Sequence, residues 1–176
     1  KGTHDWLAKI MVNHMKAPFS DAKFRQALYY AIDRQDLVKT GLRGYGLEGS
    51  PGLYASDSQW YNPDQEQYNY DPAKAGELLG ELGYEKEDGS QYYTKVSEPE
   101  AIELLVTATN ERQGELVAEQ LDSAGIKVNL RSVDSKTLDS LVGEWKFDLA
   151  FSGHGGMGAD PNMLNRYHLD MKSFNS

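Results

Sequence analysis

Apolar positions recur along this chain at two periods, and the period changes where the elements change. Phe24, Ala27, Leu28, Ala31 and Ile32 fall at i, i+3, i+4, i+7 and i+8, one stripe of an amphipathic helix. Ser20 or Asp21 is placed to cap its start, and Asp33 to cap a second short helix ending near Gly41. The run DPAKAGELLGELGY predicts another helix, with Asp71 as cap, Pro72 in the first position, Ala75, Leu78, Leu79 and Leu82 as its buried stripe, and Gly83 as its stop. Residues 7–13 read as a short strand, and Asp88-Gly89 as the turn of a small hairpin.

The second half is more regular. Residues 102–108 (IELLVTA) form a nearly unbroken apolar run, the pattern of a strand covered on both faces. Asn110 opens a helix with Gln113 in capping-box position, Val117, Leu121 and Ala124 as its stripe and Gly125 as its end. Ile126, Val128 and Leu130 then alternate with Lys127, Asn129 and Arg131, the period of a half-exposed strand. A short helix over 137–142 and a strand over 147–152 complete a β-α-β-α-β series. Such a series predicts an α/β domain with a mainly parallel sheet, flanking helices and right-handed crossovers.

Two segments fall outside this regularity. Residues 41–70 are punctuated by Gly, Pro, Asn and Ser and predict a long irregular excursion. It carries Tyr45, Tyr54, Trp60, Tyr61, Tyr68 and Tyr70. The other is GHGGMG at 153–158, read as a loop beyond the carboxyl end of the last strand. Open α/β sheets bind ligands there, and glycines let backbone approach a ligand closely.

Composition narrows the chemistry. The 176 residues suit one domain and carry a net charge of −9, with 18 basic and 27 acidic residues, a balance that argues against nucleic acid. The absence of cysteine excludes a disulfide scaffold, a thiolate zinc site and a cysteine nucleophile. His4, His14, His154 and His168 have no metal-ligand spacing, and no Walker loop or G-x-S-x-G elbow is present. No metal and no cofactor are expected. No run is apolar enough for a membrane helix. The opening KGTHDW has neither an initiator Met nor a leader's n-region, so the sequence is expected to begin inside a longer or processed protein. The residues themselves thus describe an acidic α/β domain fit for binding rather than catalysis.

Three ordered segments carry a resemblance. They are APFSDAKFRQALYYAIDRQDLV with GLRGYGLEGSPG, then YNYDPAKAGELLGELGY, then AEQLDSAGIKVNL followed by GEWKFDLAFSGHGGMGADP. From about Asn13 to Pro161 the chain closely resembles the extracytoplasmic solute-binding proteins of peptide and nickel ABC transporters, the dipeptide- and oligopeptide-binding family. The resemblance implies that residues 1–176 are a single ligand-binding lobe, the C-terminal lobe of a two-lobed periplasmic-binding-protein-like fold. It also implies an extracytoplasmic location, in the periplasm or as a surface lipoprotein whose lipid anchor lies outside this piece.

The implied function is capture of a peptide or similar small solute by hinge closure and delivery to ABC permease subunits, without enzymatic turnover. The implied site is the loop Gly153, His154, Gly155, Gly156, Met157 and Gly158, with Tyr45 of the GYG turn as a second contributor. The family's loop typically reads Gly-Trp-x-x-Asp. Here His154 holds the Trp position and Met157 the Asp position, which implies an adaptable apolar contact and poor selection for a free α-amino group. Asp160 matches a second Asp-Pro and is read as a helix cap. Two other readings use the same residues: a hydrolase lobe with His154 as general base, and a signalling or scaffold module of the same fold.

Overall fold

The computed structural model describes residues 6–51, 54 and 56–155, and of His154 its backbone. Strand β1 (Trp6–Val12) leads to helix α1 (Ala22–Ala31), the short α2 (Arg34–Asp36) and a π-helical turn over Leu37–Gly41. After the irregular excursion come α3 (Pro72–Glu81), the hairpin β2 (Glu85–Lys86) and β3 (Tyr93–Thr94), then β4 (Ile102–Val106), α4 (Glu111–Ser123), β5 (Val128–Ser132), α5 (Ser135–Gly143) and β6 (Leu149–Gly155).

The main sheet has the order β1-β6-β4-β5. β4 pairs in parallel with β5 and with β6, as the β-α-β-α-β pattern requires. β1 joins the outer side of β6 antiparallel, from Val12↔Leu149 to Trp6↔Gly155. Apolar burial divides across the sheet. On one face Leu104, Val106, Leu149 and Phe151 join Phe24, Leu28, Leu79, Val117 and Leu121 from α1, α3 and α4. On the other face Met11, Leu105 and Ala150 pack with Leu138 of α5 and Phe147. β4 is buried on both sides because helices cover both, which is why its sequence shows no alternation.

The helix caps form where the sequence places them. Asp21, Asp33 and Asp71 accept the backbone N–H groups of Lys23, Asp36 and Lys74. Asp134 caps α5 through Thr137. The capping box expected at Asn110 and Gln113 does not form. Asn110 Oδ1 accepts Thr107 N at 2.8 Å and Thr107 Oγ1 at 3.3 Å instead, and its amide reaches the Phe151 carbonyl at 3.2 Å. The second helix also departs from expectation: after one α-turn it widens into the π turn at Leu37–Gly41.

One buried polar residue joins β1 to the start of β6. Asn13 is 1% exposed. Its amide donates to the carbonyls of Trp145 at 2.9 Å and Phe147 at 2.8 Å, and its Oδ1 accepts Met15 N at 3.2 Å. Asp148 beside it accepts Glu103 N of β4 at 2.9 Å and pairs with Lys16. All of Asn13's side-chain polar atoms are therefore used, as a buried amide requires.

Two helical glycines are expected to respond in opposite ways to alanine. Gly80 in α3 has open space where a Cβ would go. Gly80→Ala should stabilise by about 0.5–1 kcal/mol through helix propensity. At Gly114 a Cβ would collide with Val106 Cγ1 of β4 and come within 3.3 Å of Leu130 Cδ1. Overpacking of this kind costs about 1–3 kcal/mol, more than the propensity gain of ~1 kcal/mol, so Gly114→Ala should destabilise. Urea unfolding of the two variants checks both signs.

Tyr84 yields a pH prediction. Its hydroxyl is buried without a hydrogen-bond partner. Burial first, then the Glu98 and Asp21 carboxylates, push the phenol up from 10.0 to about 12. The folded chain favours the protonated phenol, so this contribution is complete below about pH 10 and is lost as pH rises toward 12. Tyr84→Phe should leave neutral-pH stability unchanged or raise it by up to ~1 kcal/mol, because an unmade buried hydrogen bond disappears. It should also flatten the fall in stability between pH 10 and 12, measured by denaturant unfolding across that range.

Candidate ligand-binding site

The parallel strands β4, β5 and β6 end at Val106, Ser132 and Gly155, so their carboxyl ends share one edge of the sheet. Antiparallel β1 begins at that same edge with Trp6. Hydrogen bonds fix this corner. Asn110 holds the end of β4 against β6 through Phe151, and Val133 N donates to the Val106 carbonyl at 2.9 Å to fix β5 beside it.

The expected loop at 153–158 starts later than the sequence suggested. Gly153, His154 and Gly155 continue β6 and pair with Ala8, Leu7 and Trp6. The reason is non-local: β1 supplies a ladder along the full length of β6. Gly153 also does not serve a left-handed turn. A Cβ there would enter the Trp6 indole, whose Nε1 lies 2.8 Å from that position. Gly156, Met157 and Gly158 lie outside the described residues, as do Asp160, His4 and His168.

Tyr45 sits on the turn after the π-helical segment. Its N–H donates to the Leu42 carbonyl at 2.9 Å, and Arg43 and Gly44 carry positive φ values of 53° and 79°. The ring is 86% exposed, held out in solvent rather than packed on β6. The root of this segment lies on α4: a Cβ at Gly41 would stand 3.3 Å from Leu116 Cδ1 and 3.5 Å from Gln113 Cγ. The structure thus brings Gly153, His154 and Gly155 together with Asn110 and Trp6 at the sheet edge, and leaves Tyr45 on a separate turn.

The rest of the excursion divides its aromatics. Tyr54 is buried, and Tyr68 packs against Tyr29 and Tyr30. Trp60 and Tyr70 are about half exposed. Arg34 anchors the returning chain by donating to the carbonyls of Tyr68 at 3.0 Å and Gln67 at 2.9 Å, while it pairs with Glu48 at 3.2 Å and lies over the Tyr29 ring. Burial raises the Tyr29 phenol, and Arg34 opposes that rise. A cavity of about 360 Å³ lies against Tyr54, Trp60 and Tyr61.

Trp6 is the residue of this corner that sequence reasoning missed. It lies outside the periodic pattern, and its one signal is an aromatic at the first position of a strand. His14, set aside as a metal ligand on its spacing, makes an edge contact with Trp145 at 5.3 Å. Among the described residues no group of three or more acidic or histidine side chains is placed to hold a metal ion.

This architecture is that of the periplasmic binding proteins. The chain superposes with TM-score 0.83 on the oligopeptide-binding protein AppA from Bacillus subtilis, solved with a nonapeptide, at 24% identity, covering 98% of this chain and 35% of that one. On NikA from Brucella suis, solved with Fe(III)-EDTA, the TM-score is 0.81 at 24% identity, covering 96% of this chain and 35% of that one. Residues 2–175 match the bacterial extracellular solute-binding proteins, family 5 middle region, and the chain belongs to this family. Heme-binding protein A of Haemophilus influenzae is 29% identical over 160 residues, 89% of this chain and 27% of that protein. The glutathione-binding protein GsiB of Salmonella choleraesuis is 32% identical over 126 residues, 72% of this chain and 22% of that protein. The chain thus spans about a quarter of the length of these curated relatives.

Asn110 should matter beyond its own helix. Asn110→Leu removes the acceptor for Thr107 and the donor to Phe151 together. The expected loss is about 1–3 kcal/mol, the scale of one or two partly buried hydrogen bonds. Hydrogen exchange should show the amides at the end of β6 losing more protection than those in the middle of α4. Uniform loss across the chain would contradict a local tie at this edge.

Proposed function

We propose that this chain is the ligand-binding lobe of the substrate-binding component of an ABC importer, which captures a peptide or similar small solute outside the cytoplasm and hands it to permease subunits. Membership in the solute-binding family across residues 2–175 carries this reading. The names of the relatives support it, since they bind heme, glutathione and oligopeptides. Among the described residues no helix is long and apolar enough to cross a membrane.

The mechanism is closure of two lobes on the ligand. Contacts made to both lobes stabilise the closed state over the open one, and that difference in affinity drives the change. No bond is made or broken. In this lobe the ligand surface is the carboxyl edge of the sheet at Gly153–Gly155, with the sequence that follows to Gly158, and Tyr45, as further contributors. Glycines in this stretch leave out side chains that would keep a ligand from the backbone. Met157, at the position where the family resemblance places Asp, gives an apolar contact that adapts to different side chains.

The test uses the complete protein that carries this lobe, with calorimetry on peptides that have free or acetylated amino termini. His154→Ala should weaken both by at least about tenfold, roughly 1.4 kcal/mol, with melting nearly unchanged. Met157→Asp should improve the free-amine peptides over the acetylated ones. Wild-type affinities in both variants would place the ligand elsewhere.

A further inference from the structure

We propose that Trp6 is a ligand-stacking residue: its indole, seated on Gly153, is a platform at the sheet edge for the ring of an aromatic side chain in a bound peptide. This deepens the solute-binding reading and rests on it.

Exposure alone does not carry the inference, because single exposed aromatics are common. The seat does. Trp6 is 71% exposed, yet the side of its ring between Nε1 and Cζ2 fills the place where any residue but glycine at 153 would put its Cβ. Gly153 has no positive φ that would call for glycine. The sequence therefore leaves out a side chain at 153 where the indole lies, and the rest of that ring faces solvent.

The platform is also preorganised. The β1–β6 ladder runs without a break from Val12↔Leu149 to Trp6↔Gly155. Asn13 fastens one end of it, and Asn110 holds Phe151, two residues before Gly153. A rigid aromatic loses little entropy on binding. The two strand positions beside the indole, Gly153 and Gly155, offer neither charge nor side chain, so recognition here is by ring contact. Aromatic pairs of this kind add about 0.5–1.5 kcal/mol beyond the area they bury.

The test measures affinities of the complete protein for Ala-Phe-Ala and Ala-Ala-Ala by calorimetry, in wild type, Trp6→Ala, Trp6→Phe and His154→Ala. Trp6→Ala should weaken Ala-Phe-Ala by about tenfold, ~1.4 kcal/mol, and leave Ala-Ala-Ala within about twofold, with Trp6→Phe retaining most of the preference. Equal weakening of both peptides would mean that Trp6 only supports the strand pair, and the proposal would fall. No effect of Trp6→Ala while His154→Ala weakens both peptides would remove Trp6 and keep the site. No effect of either variant, or no binding of either peptide at millimolar concentration, would remove both readings.

Discussion

The pairing of the chain's first described strand with its last, fastened by the buried amide of Asn13, is the constraint on which the rest depends. Asn13 joins β1 to the backbone that leads into β6, with both N–H donors and the oxygen of its side chain engaged. Side chains alternate faces along a strand, so a slip of one residue would turn Met11 away from Leu138 and Ala150, and Ile10 away from the α1 and α4 core. The same register, seven residues further on, sets Trp6 opposite Gly155 and its ring on Gly153. A hydrogen-bond arrangement at the sheet's closed end thereby determines the shape of its open end.

The helices serve that edge in different ways. α4 packs on β4 so closely that Gly114 has no room for a Cβ, which brings its first turn next to Asn110 and the β4 terminus. On its outer side Gln120 accepts Asp33 N at 2.9 Å and holds the α1–α2 corner. Arg34, from that corner, gathers the returning end of the excursion. The irregular segment is therefore bound to the regular core at its base and at its return, while its GYG turn projects into water. Exposed ion pairs such as Lys23–Glu81 and Lys127–Glu100 decorate this frame and contribute little to it.

Local signals in the sequence were legible, and non-local ones were not. The stripe from Phe24 to Ala31, the caps at Asp21, Asp33 and Asp71 and the parallel order of the later strands follow from spacing within a few residues. The extension of β6 to Gly155 depends on a partner near the start of the chain, which no window of sequence contains. Gly153 reads in the sequence as part of a loop that admits a ligand close to its backbone, because a glycine does not reveal whether the space beside it is left for a ligand or for a side chain such as Trp6. Asn110 looked like half of a capping box because the pattern does not say that Thr107 takes its oxygen first. The place of 153–158 after the last strand, together with the family resemblance, supplied the candidate site, and both pointed past Trp6, whose role depends on a cross-strand contact.

The central claim is that ligand meets this lobe at the carboxyl edge of the sheet, on a surface whose shape the β1–β6 register sets. Hydrogen–deuterium exchange of the complete protein, with and without a saturating peptide, tests it most directly. The account predicts new protection concentrated at residues 6–8, at 107–112 and from 153 onward, with the β2–β3 hairpin unchanged. Protection confined to the hairpin or to the outer face of α3, with the sheet edge exchanging as before, would contradict it.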